Sequence, residues 1–170
     1  MDEQGASAEV IERRERLKSL LAVVGFSRML RKAIDCYDAD LEACAIMLAV
    51  GSASTNAILR DPKFLRDMEH PGPVPDEYHR PISRRAIAAS TGLPRETVRR
   101  KIAQLIDQGL LVEDPDGVRT PSGVLGRGRT YEFTSTLVRE ITRAALELTR
   151  IDQMAEVEAR ENRPRASGEV

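Results

Sequence analysis

The chain has no tryptophan, and aromatic residues of any kind make up 4% of its 170 positions. A core this poor in rings has to be filled by Leu, Ile, Val, Met and Ala, carried on helices. Two cysteines, Cys36 and Cys44, are too few for a disulfide framework and are read as reduced thiols of an intracellular chain. Cys44 falls in the most apolar run and reads as core, whereas Cys36, beside Tyr37 at a helix end, is the better candidate for an oxidation sensor. The two histidines, His70 and His79, bracket a proline-rich stretch without the spacing of a structural zinc site, so a solvated loop is expected and no metal. There is no glycine-rich phosphate loop, no Gly-x-Ser-x-Gly elbow, no His-Glu-x-x-His and no credible triad. These absences argue against an enzyme and leave no cofactor or catalytic residue to name. Long apolar runs are also missing: Leu41 to Val50 is apolar except for Glu42, which is too short to span a bilayer. The first residues, MDEQGASAEVIERRER, are acidic and polar, unlike a signal peptide. A cytoplasmic protein with no membrane partner is expected.

The net charge of −1 conceals a segregation. Residues 1–79 hold 10 Lys/Arg against 14 Asp/Glu, residues 80–131 hold 10 against 5, and residues 132–170 hold 6 against 8. A basic segment inside an otherwise acidic chain suits a phosphate-backbone partner.

That basic segment contains the most informative pattern, ISRRAIAASTGLPRETVRRKIAQLIDQGLLVEDPDGVRT, from Ile82 to Thr120. Ser83 can cap a helix that turns Ile87 and Ala88 inward, and Thr91-Gly92-Leu93 supplies a short turn with glycine. Pro94 stands where a helix start tolerates proline. Val98, Ile102, Leu105 and Ile106 then form one apolar stripe, with Arg95, Glu96, Arg99, Arg100, Ala103 and Gln104 outside it. Gly109 is placed to end this helix in a left-handed cap. Leu110-Leu111-Val112, a turn at Asp114-Pro115-Asp116-Gly117, and Val118-Arg119-Thr120 read as a hairpin.

The order of these elements resembles the winged helix-turn-helix transcription regulators of the GntR and MarR type, over about 40 of the 170 residues. The expected fold is mainly α: a winged helix-turn-helix with a small β-hairpin wing, flanked by long N- and C-terminal dimerisation helices. The expected organisation is an N-terminal helical dimerisation region over 1–60, a proline-rich connector over 61–80, the DNA-binding domain over 81–121, a loop and C-terminal helix over 122–159, and a disordered tail over 160–170. Within the first region, Val10, Leu17, Leu20, Leu21, Val24, Met29 and Leu30 mark a helix of about 8–33. Asp38 or Asp40 caps a second helix over about 41–59, apolar nearly all round, which has to be covered on most sides. Ser122 to Arg129 reads as a glycine-rich loop. Thr134 or Ser135 then caps a final helix with Leu137, Val138, Ile141, Ala145, Leu148 and Ile151 inward, reaching Val157.

The resemblance implies a cytoplasmic, homodimeric, sequence-specific regulator that binds double-stranded DNA. It implies that Arg95, Glu96 and Arg99 read bases, that Ser83, Arg84, Thr97 and Arg100 hold phosphates, and that Arg119 supports from the wing. Gly126-Arg127-Gly128-Arg129 suits either a minor-groove segment or a plain connector. The small residues of the second helix permit either close helix packing with no ligand or a cavity near Ile46, Val50 and Ala53, and resemblance to MarR-like regulators implies a small apolar effector in the second case. The residues leave other readings open. An arginine-rich helix face is also an ordinary solvated surface, and a winged helix can serve as a protein adaptor or in a replication initiator.

Overall fold

The computed structural model describes residues 3–58 and 74–161, and the chain is mainly helical with one two-stranded antiparallel sheet. It divides into two units, residues 1–31 with 135–170 and residues 32–134. Most of the expected connector and the tail beyond 161 lie outside the described residues.

The first unit is made from parts of the two longest helices, α1 (Glu3–Cys36) and α5 (Gly128–Glu161), each of 34 residues. They run antiparallel there, tied by Lys18 to Asp152 at 2.6 Å and by Arg28 to Glu140 at 3.3 Å. Both are longer than expected, 3–36 against 8–33 and 128–161 against a start near 134. Thr134 and Ser135 are not caps: the Thr134 hydroxyl donates back to the Thr130 carbonyl at 3.1 Å, a bond made inside a helix. Arg160 and Glu161, expected in the tail, are still helical. The apolar stripes are present but largely uncovered. Leu20 is 63% exposed, Val138 67% and Ile141 58%, and Leu17, Val24 and Ala145 are exposed as well. The expected inward packing of Val138, Ile141 and Ala145 therefore does not occur within one chain.

The second unit has a closed core. α2 (Leu41–Ile58) begins after a turn in which Asp38 and Ala39 both adopt positive φ, and Asp40 caps it by accepting from the Ala43 N–H at 3.0 Å. It buries Ile46, Met47 and Val50 but leaves Leu41 and Leu48 exposed, so it is covered on one side rather than most. Against it pack α3 (Arg84–Thr91) through Ile87 and α4 (Arg95–Asp107) through Val98, Ile102 and Leu105. Complete burial of a side chain such as Ile102 contributes roughly 1.5–3 kcal/mol. Tyr37 and Phe133 meet edge to face with ring centroids 5.8 Å apart.

The first strand of the sheet lies two residues later than expected and the second one residue earlier. β1 (Val112–Asp114) and β2 (Gly117–Arg119) pair around a two-residue turn, Pro115-Asp116. Leu110 and Leu111 do not enter it, because both of their N–H groups donate to the Leu105 carbonyl and close α4, with Gly109 at φ +69. Ile82 bridges Val118 from the other side through two backbone hydrogen bonds, so β2 is flanked on both edges. This crossing explains Gly117, which has φ +147 and where a Cβ would stand 2.3 Å from the Ile82 carbonyl oxygen. Gly117→Ala is expected to cost about 2 kcal/mol in denaturant unfolding. At Gly109, with φ +69 and open space around it, alanine should cost only about 1 kcal/mol. Equal losses at the two positions would contradict the crossing.

Candidate nucleic-acid interface

α3 and α4 are joined by three residues, Gly92-Leu93-Pro94, and each part of the join has a chemical reason. The Ser83 hydroxyl caps α3 by accepting from the Ala86 N–H at 3.2 Å. Gly92 closes the helix at φ +72 with its N–H on the Ala88 carbonyl. The Thr91 hydroxyl donates to the Ile87 carbonyl at 2.7 Å and accepts from the Leu93 N–H at 3.3 Å. Burial of Val98, Ile102 and Leu105 then fixes the rotation of α4, leaving Arg95, Glu96, Arg99 and Arg100 in solvent with Thr97 half-buried.

Those exposed groups form one continuous surface, and some are already paired. Arg99 holds Glu96 through two hydrogen bonds of 2.6 and 2.9 Å. The hydrogen bond from Arg99 holds the Glu96 carboxyl below its ordinary range, and Glu96 in turn raises the Arg99 guanidinium. Both groups are open to water, so salt and competing ligands exchange the pair readily. Arg100 lies 3.8 Å from Glu42, and Arg84 is bonded to Glu113 on β1. Among the described residues, Arg85 and Arg95 have no ion-pair partner.

Arg119 stands apart from this surface. Its side chain is 21% exposed and bonds Asp76 at 3.1 Å and Asp114 at 3.3 Å. Asp76 also accepts from the Ser122 N–H, and the Ser122 hydroxyl donates to the Val74 carbonyl at 2.7 Å. Arg119 thus clasps residues 74–78, which include a short 3₁₀ turn at Asp76–Tyr78, to the end of the hairpin. His79 belongs to the same clasp and is buried, not solvated as expected. Its Nδ1 lies 2.9 Å from the Thr120 hydroxyl and its Nε2 3.1 Å from the Val74 carbonyl. A neutral ring protonated on Nε2 satisfies both, and neither nitrogen is left for a metal. Periodicity carried no sign of this, since the partner Thr120 is 41 residues away. His70 lies outside the described residues.

The Gly126–Arg129 segment is not an extended arm. Val124–Gly126 is a 3₁₀ turn, α5 begins at Gly128, and Arg129 is fixed by Asp38 at 2.7 and 3.0 Å and by the Asp35 carbonyl. Ile46 and Val50 are both fully buried, which fits the close-packed alternative and leaves no water-sized void against either side chain. Ala53 instead lines an open groove with Leu48, Ala49 and Ile82. Neither cysteine has the environment of a reactive thiolate. Burial raises the Cys36 thiol despite Arg129 and Lys32 nearby, and pushes Cys44 up to about 11.

Beneath α4, Lys101 is only 12% exposed and bonds Asp40, the cap of α2, with Glu42 at 3.7 Å. Burial by itself would raise Asp40, but the Lys101 hydrogen bond and the Ala43 N–H outweigh it and hold the carboxyl below its usual value. A depressed carboxylate stabilises the fold above its unfolded pKa, about 3.9. That contribution is lost as pH falls through the folded value. Asp40→Asn is therefore expected to lower stability by roughly 1 kcal/mol at neutral pH and to flatten the fall in stability below pH about 4. Unchanged acid unfolding in the variant would show that the pair contributes nothing.

Comparison with protein-family models, with curated proteins and with solved structures finds no match to this chain. Among the described residues, no helix is long and apolar enough to cross a membrane, and no cluster of metal-ligating side chains occurs.

Proposed function

We propose that the chain is a sequence-specific, double-stranded-DNA-binding transcriptional regulator that acts as a homodimer, with residues 81–121 as a winged helix-turn-helix. The observation that carries this reading is α4. It follows a three-residue turn, buries one apolar stripe, and presents Arg95, Arg99 and Arg100 on its open face within the basic third of the sequence.

On that face Arg95 and Arg99 are one helical turn apart, so both reach one groove and can address guanine O6 and N7. Glu96 accepts from cytosine N4 once Arg99 leaves it. Ser83 uses an oxygen lone pair in its cap and keeps its hydroxyl hydrogen for a phosphate. Arg84, Thr97 and Arg100 flank the same face and position the backbone. Arg119 acts indirectly, by holding the hairpin to residues 74–78.

One such module makes few base contacts, and two related by a two-fold axis read half-sites about 34 Å apart. The uncovered stripes of α1 and α5 supply a surface for the second copy. Selection of bound fragments from random duplex DNA tests the reading. The expected product is a motif with two-fold symmetry, bound with an affinity that falls steeply as salt rises. Recovery of no motif, together with salt-independent binding, would favour an acidic protein partner for the same face.

A further inference from the structure

A partly open hollow of about 640 Å³ lies within residues 36–130. That is the size of a small-molecule site. It is lined by Tyr37 at the end of α1, by Leu110 after α4, by Val124, and by Arg127 and Thr130 at the start of α5.

Two buried hydroxyls face this hollow without a partner. Tyr37 and Thr130 are 8% and 7% exposed, and neither side-chain oxygen makes a hydrogen bond within the described protein. No fully enclosed side-chain oxygen among the described residues lacks a partner. What stays open on these two residues is therefore the hydroxyl itself, toward the hollow they line. With no protein partner to displace, both hydroxyls are free to hydrogen-bond a ligand seated in the hollow. Burial raises Tyr37 far above the ordinary phenol range, so its hydroxyl remains a donor.

The charge around the hollow gives the ligand its sign. The carboxylates lining it are matched, Asp38 by Arg129 and Asp40 by Lys101. Arg127 has no ion-pair partner among the described residues. Its guanidinium folds over Gly123, where a Cβ would lie 3.1 Å from it. The first N–H groups of the 34-residue α5 open at the same place, and they have no carbonyl of their own helix to bond. The unmatched charge is positive. Leu110, Pro121 and Val124 supply an apolar patch of the wall, beside the polar Gln108 and Ser122.

We infer that this hollow binds a small organic anion, a carboxylate held by Arg127, Thr130 and the first turn of α5, with a compact apolar body against Leu110 and Val124 and a hydrogen bond to Tyr37. The site differs in place and in chemistry from the apolar cavity that was one alternative near Ile46. It stands whether or not α4 binds DNA.

Titration calorimetry on the full chain tests it with phenylacetate, hexanoate, the neutral 2-phenylethanol and inorganic phosphate. Phenylacetate or hexanoate should bind saturably with one site per chain, and 2-phenylethanol at least about tenfold more weakly. Arg127→Gln and Thr130→Val should each weaken the acid about fivefold or more, with the thermal midpoint of the free protein unchanged. The inference is overturned if neither acid binds at about 10 mM, or if the alcohol or phosphate alone binds as tightly as the acids. It is equally overturned if the acid binds the Arg127→Gln chain with undiminished affinity.

Discussion

Replacing Arg95 and Arg99 together with alanine is expected to weaken binding to the preferred duplex by about 2–6 kcal/mol, roughly 30-fold to 20,000-fold, while leaving non-specific binding nearly intact. Each arginine would lose one bidentate base contact of about 1–3 kcal/mol, and neither contributes to the core of the second unit. Arg99 should have the smaller single effect, because free Arg99 is already bonded to Glu96 and has to exchange that partner for the base. Arg100→Ala separates positioning from reading: it should weaken all sequences alike and reduce the salt slope by about 0.9. A fluorescence anisotropy titration on selected and scrambled duplexes distinguishes these outcomes. Unchanged affinity and preference in the double variant would remove α4 from the interface.

Leu20→Asp is expected to convert a dimer into a folded monomer. At 63% exposure, Leu20 packs little within its own chain, so a carboxylate there costs the single chain little. Across a two-fold interface the change occurs twice and removes about 1.5–3 kcal/mol per leucine before any desolvation of the charge. Dimer affinity should fall by roughly 100-fold or more. Leu21 is a poorer test. It lies half-buried in a groove with Val24, Gly25 and Ala144, so aspartate there damages the chain itself. Light scattering at micromolar concentration should give twice the chain mass for the wild type and the single mass for Leu20→Asp, with equal helical circular dichroism. A wild-type chain that is already monomeric refutes the dimer.

What could be read in the amino-acid order was whatever depends on near neighbours. Ser83, Gly92, Gly109 and the apolar spacing of α4 act over one or two helical turns, and each stands where those rules put it. Long-range chemistry was hidden. The start of α5 looked like loop because Gly126 and Gly128 break helices, yet Arg129 is anchored there by Asp38, 91 residues earlier. His79 was read as solvated for the same reason. The first strand of the hairpin was placed two residues too early because Leu110 and Leu111 looked like strand by composition while their N–H groups were needed at a helix end. The apolar stripes of α1 and α5 were also legible as more than one chain can cover, and they are largely exposed. The interface residues are therefore legible as a surface, and their partner is not.

The pairing of Ile82 with Val118 has a consequence for how copies of this chain can join. Because Ile82 covers one side of β2, the long edge of the sheet that faces away is β1, three residues carrying Glu113 and Asp114 and ending at Pro115. Short length, negative charge and an adjacent proline are the means by which proteins keep a strand from recruiting another. The exposed edge of the hairpin is therefore a poor template for strand addition. On the proposal of a dimer, the uncovered helical faces of α1 and α5, and not the sheet, are then the surfaces that would join two copies.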